Sequence, residues 1–398
     1  MRRGASVSPI RLLFPFAGDT GIGGSHVSAL DLVAALDRSR YEPHILLHRQ
    51  AGKVGDYARS LGLEYEVIDD LDLLRAPGNP RAGDVGPGRY AMHALPRMMR
   101  LLRRIDPDIV HTNEGRIHTS WALPTRLSGR KHVWHHRQDP RAFGVNKLAP
   151  LLSNRIIGVS HFSRPGAPVR SVDRKFVVVR SPFDLSPDTP DKRASRQAIL
   201  GELSLPANAV LLGWFGTLTE RKKPVRFIEA VAEIQRRLPD RPVHGLMFGG
   251  TLGPHSRLGQ DCADAAAERG MADAIHMMGF RSPIDHYMAG IDVMLVTALH
   301  EPFGRTLIES MHIGTPVVAT RHGGNVEAIE DGVTGFLVEP ENPAAFVAPV
   351  LKLIQDPDCH DTITAAARRD LGSKYGRDIH VWQICAIYDQ LCPDAAAP

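Results

Sequence analysis

Cysteine is scarce in this chain. Its 398 residues include four cysteines, Cys262, Cys359, Cys385 and Cys392, and none of them forms a Cys-x-x-Cys pair. So few cysteines in a long chain do not make a disulfide framework, which excludes the small disulfide-stapled secreted proteins. A reducing compartment is the simplest expectation, and we therefore predict a cytoplasmic protein.

Long apolar runs are missing as well. The most apolar windows, such as residues 291–299, are short, and this one contains Asp292. A helix that crosses a bilayer needs about 20 mostly apolar residues in succession. The basic start at Met1, Arg2 and Arg3 is not followed by the apolar core of a secretory signal. We expect neither a membrane-spanning helix nor a signal peptide.

A strong charge imbalance is also absent. The 48 basic and 44 acidic residues leave a net charge of +4. This excess is too mild to indicate a nucleic-acid partner, and the sequence has no basic tail or aromatic-basic repeat. A small positive excess suits an anionic substrate or an anionic membrane surface.

What the chain does contain is an alternation of short β-branched runs with longer helical patterns. This alternation predicts an α/β protein with parallel sheets. Because 398 residues exceed one ordinary core, we expect two domains. Both open in the same way, with a strand, a glycine turn and a helix, over residues 10–36 and again over residues 210–237.

The predicted division follows from this repeat. Residues 1–184 form an N-terminal Rossmann-like domain, and residues 185–375 form a C-terminal Rossmann-like domain. Residues 376–398 are expected to form a helix that crosses back to the first domain. Residues 71–89 hold three prolines and four glycines and predict a mobile loop.

The segment with the most chemical information runs from Glu301 to Glu309. A turn at Gly304 precedes a helix predicted over residues 305–313, and a helix start favours phosphate through its free N–H groups. Glu309 lies roughly 7 Å along that helix, which is about the separation of a diphosphate from the ribose of one nucleotide. A carboxylate can accept two hydrogen bonds from a ribose diol. Glu301, before the turn, would lie beside a sugar ring, so the layout predicts a nucleotide-sugar site.

Other site types fit poorly. A dinucleotide fingerprint would need a third glycine where His26 stands, and an acid where His48 and Arg49 end the second strand. The three Asp-x-Asp pairs, at residues 70–72, 106–108 and 356–358, are typical of loop or element-edge acids. We expect no metal site, no cofactor and no dehydrogenase.

Residues 279–338 closely resemble the nucleotide-binding half of the retaining glycosyltransferases of family 4. The motifs that carry the resemblance are Gly279-Phe280-Arg281, the segment from Glu301 to Glu309, Gly314-Thr315-Pro316 and Gly323-Gly324. The resemblance implies the GT-B fold, in which two Rossmann-like domains face each other across a cleft. It also implies metal-independent transfer of a sugar from a nucleotide-sugar to a glycan, lipid-linked or small-molecule acceptor, with retention at the anomeric carbon.

The resemblance also implies roles for single residues. In the family the first glutamate contacts the donor sugar and the second holds the ribose, which assigns a catalytic role to Glu301 and ribose binding to Glu309. The implied donor-binding residues are Gly24, Gly216, Lys222, Arg281, Phe303, Gly304, Arg305, Thr306 and Glu309.

Residues 216–223 resemble the family's phosphate-gripping loop. In that loop an arginine follows the glycine and a lysine comes near the end. Here Thr217 replaces the arginine, and Lys223 is matched to the lysine and given a catalytic role, because a positive charge at the β-phosphate stabilises the leaving group. Arg221 and Arg305 are the candidates for the charge missing at Thr217.

The acceptor side is assigned from two further motifs. Gly23, Gly24 and His26 match the family's first glycine loop. The strand end over residues 133–137 resembles the one that carries a histidine near the sugar. His136 is preferred as that catalytic histidine, and Gly23, His26 and His135 are assigned to the acceptor side, with His111 and His118 as weaker candidates.

Two other functions remain open at this stage. A GT-B-fold nucleotide-sugar epimerase fits the segment from Glu301 to Glu309 less well. A non-catalytic nucleotide-sugar-binding partner subunit is kept open by Thr217 and by Ser181-Pro182, which depart from the family pattern. The arginine face of a helix over residues 94–105 suggests peripheral contact with the inner face of a membrane, with a solvated helix face as the alternative.

Overall fold

The chain folds into two compact units, each described here by itself. The computed structural model describes residues 8–18, 21–75, 83–186, 188–251 and 256–396. The first unit comprises Met1–Pro182 and Arg377–Pro398, and the second comprises Phe183–Gly376.

Strands and helices alternate along the chain. The strands are β1 (Ile10–Ala17), β2 (Tyr41–His48), β3 (Glu66–Ile68), β4 (Ile109–Thr112), β5 (Lys131–His136), β6 (Arg155–Gly158), β7 (Phe176–Val178), β8 (Val210–Phe215), β9 (Val243–Phe248), β10 (Ile275–Gly279), β11 (Val293–Val296), β12 (Val317–Thr320) and β13 (Phe336–Val338). The α-helices are α1 (Gly24–Ala35), α2 (Gly52–Ser60), α3 (Pro87–Arg89), α4 (Leu95–Ile105), α5 (Gly115–Leu127), α6 (Phe143–Lys147), α7 (Ala149–Leu152), α8 (Lys192–Glu202), α9 (Pro224–Arg237), α10 (Leu258–Glu268), α11 (Asp285–Gly290), α12 (Arg305–Ile313), α13 (Asn325–Ala328), α14 (Val347–Gln355), α15 (Pro357–Lys374), α16 (Arg377–Leu391) and α17 (Pro393–Ala396).

The first unit is built on a parallel seven-stranded sheet in the order β3-β2-β1-β4-β5-β6-β7. The chain moves outward from β1 in one direction and then restarts at β4 on its other side. Helix α16 packs against this sheet, with Ile384, Ile387 and Tyr388 buried in the same core cluster as β1 and β2. The Tyr41 hydroxyl donates to the Asp389 carboxylate over 2.7 Å, which fixes the register of α16 on β2.

The second unit is built on a parallel six-stranded sheet in the order β10-β9-β8-β11-β12-β13. Helix α9 shows why the sequence folds this way. Pro224 occupies its first turn, where the missing N–H costs nothing. Phe227, Ile228, Val231 and Ile234 recur every three or four residues and are all buried in the core.

Several predicted bounds agree with the structure, and one does not. Strand β8 and helices α9 and α12 have the bounds expected for residues 210–215, 224–237 and 305–313. The loop expected over residues 71–89 is wrong at its end, because a helix begins at Pro87 and runs through a π-helical segment, Tyr90–Ala94, into α4. Residues 76–82 lie outside the described residues. Among the helices of the described ranges, none has the length and apolar character needed to cross a membrane.

Candidate functional site

Two loops meet at the carboxyl edge of the sheet of the second unit. The strand order reverses between the neighbours β8 and β11, and in open parallel sheets ligands bind outside the carboxyl ends at such a reversal. Strand β8 leads into the lysine loop, residues 216–223, and β11 leads into the glutamate loop, residues 297–304. The buried Thr297 hydroxyl lies 2.9 Å from the main-chain oxygen of Lys222 and 3.0 Å from that of Lys223. This contact ties the two loops together.

A small pocket opens where the loops meet. Its lining combines four of the residues that the sequence assigned to donor binding or catalysis: Lys222, Glu301, Gly304 and Thr306. Trp214 and Thr297 form part of its wall. The structure thus brings an acid, a cation and a helix start to one place.

Glu301 is held between two basic side chains. One of its carboxylate oxygens lies 2.6 Å from the Arg221 guanidinium and 3.9 Å from the Lys222 ammonium. Its side chain is 13% exposed. Arg221, named above only as a substitute for the arginine missing at Thr217, is therefore in direct contact with the predicted catalytic acid.

The backbone of Glu301 is braced by the Gly323-Gly324 turn. The Gly324 N–H donates to the Glu301 carbonyl oxygen over 2.7 Å. Gly323 has a φ of +63°, and a Cβ at this position would lie 2.6 Å from that same oxygen. Only glycine satisfies both conditions at position 323. At position 324 a Cβ would lie 2.7 Å from the Pro302 carbonyl oxygen, which explains the second glycine of the motif.

The structure places Lys222, and not Lys223, in the pocket. The Lys222 ammonium lies 3.3 Å from the Phe215 carbonyl oxygen, to which it donates. Burial lowers the pKa of Lys222, and the charge of Glu301 opposes this shift. Lys223 adopts a left-handed φ of +48° as the residue that precedes α9. The sequence-based match gave the phosphate role to Lys223, with Lys222 beside it, and of these two lysines only Lys222 lines the pocket.

The start of α12 faces the same pocket. Gly304 precedes the helix with a left-handed φ of +74°, so the chain turns sharply between Glu301 and the first helical residue. The Arg305 guanidinium stacks on the Phe183 ring at 4.5 Å and lies 3.7 Å from the Glu309 carboxylate. Burial raises the pKa of Glu309, while Arg305 acts to lower it. A third of the Glu309 side chain, 34%, remains exposed.

Three predicted donor residues have other surroundings. Phe303 is buried and packs against the rings of Phe183 and Tyr375, each with centroids 5.7 Å away. The Arg281 guanidinium lies 3.4 Å from the Glu202 carboxylate, outside the pocket lining. Gly216 lies directly after β8, beside the Lys222 side chain. Phe303 therefore supports the glutamate loop from the core.

In the first unit, the glycine loop after β1 leads into α1. Gly23 precedes the helix, which begins at Gly24, and the Gly23 N–H donates to the Nδ1 atom of His26 over 3.1 Å. The Nε2 atom of His26 lies 3.3 Å from the Glu114 carboxylate. Glu114 in turn accepts from the Ala17 N–H over 2.6 Å. His26 therefore holds the helix start in place, and its ring is almost fully buried.

The two candidate histidines at the end of β5 point to different environments, as adjacent residues of a strand do. His135 is buried, and its Nδ1 atom lies 3.2 Å from His111. Its ring also stacks on His380 of α16. His136 lines a pocket of about 80 Å³ together with His118, and burial lowers the pKa of His136 to about 4. His136 is thus neutral near pH 7, and of these two buried histidines it is the one that lines this pocket.

Two residues of the site, Thr297 and Asn325, were given no role by the sequence, although Asn325 directly follows the Gly323-Gly324 motif. Thr297 joins the loops and stands directly after β11, where polar residues at a strand end are a usable signal. Asn325 is buried, and its amide donates to Thr320 over 3.1 Å, while its Oδ1 atom has no hydrogen-bond partner. That oxygen lies 3.6 Å from where a Cβ on Gly304 would be. Among the described residues no three His, Cys, Asp or Glu side chains cluster as metal ligands would.

Comparisons with known proteins identify the family of this chain. Residues 209–356 match the model of the family described as glycosyl transferases group 1, and residues 22–179 match that of glycosyltransferase family 4. The D-inositol 3-phosphate glycosyltransferase of Corynebacterium efficiens is 33% identical over 317 residues, which cover 77% of this chain and 67% of that one. That of Corynebacterium urealyticum is 30% identical over 187 residues, covering 46% of this chain and 44% of that one.

A solved structure is similar over nearly the whole chain. Anabaena Alr3699/HepE in complex with UDP-glucose superposes with a TM-score of 0.77 at 20% identity, covering 96% of this chain and 100% of that one. At this identity the likeness concerns the fold. Both units are Rossmann-like domains with parallel sheets, and the GT-B fold predicted from the sequence is confirmed, as is the predicted family.

Proposed function

We propose that this chain, which belongs to glycosyltransferase family 4 and the group 1 glycosyl transferases, is an enzyme that transfers a sugar from a nucleotide-sugar to an acceptor. One observation carries the proposal. Glu301, Lys222 and the helix start at Gly304 line a single pocket at the switch point of the second unit's sheet.

The pocket suggests how a donor would bind. The diphosphate would lie between the Lys222 ammonium and the first N–H groups of α12, because both favour negative charge. Glu309, about one turn beyond the first residue of α12, would accept hydrogen bonds from the ribose hydroxyls. Glu301 would contact the sugar on the other side of the phosphates. Arg221, which pairs with Glu301 over 2.6 Å, would supply the positive charge that is missing at Thr217.

The comparisons suggest which donor and acceptor to test first. The Anabaena protein was solved with UDP-glucose, which supports a uridine diphosphate sugar as the first donor. The relatives are named for D-inositol 3-phosphate, which supports a phosphorylated polyol as the first acceptor. Glycan and lipid-linked acceptors are the next class in the same assay.

The reaction we propose retains the configuration at the anomeric carbon. The bond between that carbon and the β-phosphate oxygen breaks, and the acceptor oxygen attacks from the same face. The departing phosphate oxygen takes the proton of the acceptor hydroxyl, so no separate base is required. Lys222 and the start of α12 stabilise the charge that develops on the phosphate.

Two isosteric variants test the division of roles between the acids. We expect Glu301→Gln to lower transfer at least about 100-fold while nucleoside diphosphate affinity changes little. Glu309→Gln should instead weaken that affinity about ten- to hundredfold, because a carboxylate–hydroxyl hydrogen bond loses its charge. The assays are product release with retention read by NMR, and calorimetry with UDP. Equal loss of both properties in both variants would contradict the assignment.

A further inference from the structure

A second concave site lies in the first unit, outside everything described so far. About 870 Å³ of space, partly open to solvent, is bounded by four arginines and one lysine. We call it the basic pocket and define it by Arg126, Arg155, Arg170, Arg174 and Lys175. None of the residues that line it is acidic.

The basic pocket is far from the predicted acceptor residues within this unit. Arg155 is the first residue of β6, and Lys175 directly precedes β7, so both stand at the amino ends of their strands. His136 is the last residue of β5, and Gly23 follows the carboxyl end of β1. Since all these strands are parallel, the basic pocket occupies the opposite edge of the sheet.

Its positive charge is not compensated by the protein. Within the described ranges, Arg126, Arg170 and Arg174 have no carboxylate within ion-pair distance. The nearby Asp173 is already bound by Arg164. An uncompensated cluster of like charges in a concavity raises the local potential and attracts anions.

Lys175 is held in a fixed position in the basic pocket by hydrogen bonds to the backbone. Its ammonium donates to the carbonyl oxygens of Pro150 over 3.0 Å and Ser153 over 2.8 Å. This leaves one of its three protons for another acceptor. Burial is the main cause of the lowered pKa of Lys175, and the positive charges of Arg170 and Arg126 lower this pKa further. The three cations therefore act on a common space.

We propose that the basic pocket binds a phosphorylated anion that carries at least two phosphate charges. One guanidinium group can donate two parallel hydrogen bonds to the oxygens of a phosphate, and four guanidinium groups line this pocket. Leu151 and Leu152 give the pocket one apolar wall, suited to the carbon part of a phosphate ester. The site is independent of the donor pocket and of the sugar transfer proposed for it. A soluble phosphate ester and a phospholipid headgroup share this chemistry.

Inorganic pyrophosphate is the probe, with hydrogen–deuterium exchange as a local readout. We expect pyrophosphate to slow exchange over residues 150–155 and 170–176, whatever it does at the donor pocket in the second unit. The double variant Arg170→Ser/Arg174→Ser should weaken this effect at least about tenfold, because each charged hydrogen bond lost costs that much. Both arginines are exposed, so the fold should be kept. The control Arg100→Ser/Arg103→Ser removes two exposed arginines from α4 of the same unit and should leave the pyrophosphate protection unchanged.

Vesicles distinguish the two sources of phosphate. Co-sedimentation with vesicles of phosphatidic acid, whose phosphomonoester headgroup can carry two charges, would assign the pocket to a lipid headgroup if pyrophosphate competes with it and Arg170→Ser/Arg174→Ser abolishes it. Pyrophosphate binding without co-sedimentation would assign it to a soluble phosphate ester. Absence of protection over both segments, or equal protection in the double variant, would overturn the proposal.

Discussion

Replacing Lys222 with methionine separates the two adjacent lysines of the lysine loop. Methionine keeps much of the length of the side chain and removes the charge. In the pocket the Lys222 ammonium lies 3.9 Å from the Glu301 carboxylate, whereas Lys223 does not line the pocket. A hydrogen bond to a charged group contributes about 1.5–3 kcal/mol, so UDP affinity should fall about ten- to hundredfold in Lys222→Met. Transfer should fall further, about 100- to 1000-fold, because charge on the phosphate grows in the transition state.

Calorimetry with UDP measures the affinity, and the matched control is Lys223→Met, which should bind UDP like the unsubstituted protein. A second readout follows from the lowered pKa of Lys222. A bound diphosphate would raise this pKa again, so proton uptake on binding should begin at a lower pH than for an ordinary lysine, and this uptake should vanish in Lys222→Met. An equal affinity loss in Lys223→Met, or unchanged affinity in Lys222→Met, would refute the assignment of the phosphate role to Lys222.

Three further outcomes are expected. The first unit should lose stability in mild acid: burial lowers the pKa of His132 and His380 to about 3 and that of His136 to about 4. Histidines in the unfolded chain bind protons from about pH 6.5 downward, whereas these buried histidines do so only near their lowered pKa values. The free energy of unfolding of the first unit is therefore constant above about pH 6.5 and falls below it, by about 1.4 kcal/mol per histidine and pH unit. Hydrogen exchange should show the first unit opening before the second. Gly323→Ala should lower both the melting temperature and transfer, since its Cβ would lie 2.6 Å from the Glu301 carbonyl oxygen; an unchanged melting temperature would contradict the bracing role. Transfer should survive EDTA, since Lys222 and the start of α12 supply the positive charge; loss of activity restored by magnesium would contradict this.

The sequence predicted helix and strand bounds well where residues near each other in the chain determine them. Strand β8, the proline start of α9 and the glycine-bounded helix α12 have strong local signals, and their bounds agree with the structure. The helix start at Pro87 was hidden in a segment rich in glycine and proline, although proline is favoured at this position of a helix. The local pattern could not show that the helix continues from there into α4.

The site was harder to predict because its contacts are distant along the chain. The pairing of Arg221 with Glu301 joins residues 80 positions apart, and no local pattern encodes it. The choice between Lys222 and Lys223 depends on one left-handed backbone angle, which lysine rarely adopts. The arginine face expected on α4 is partly neutralised, because Arg97 pairs with Asp70 from a different segment.

The most direct test of the proposed donor site is a crystal structure of the protein with a bound nucleoside diphosphate sugar, UDP-glucose first. We predict that the diphosphate lies within hydrogen-bonding distance of the Lys222 ammonium and of the first N–H groups of α12. The ribose hydroxyls should contact Glu309, and the sugar should contact Glu301. A nucleotide bound elsewhere, for example at the glycine loop before α1, would contradict the account.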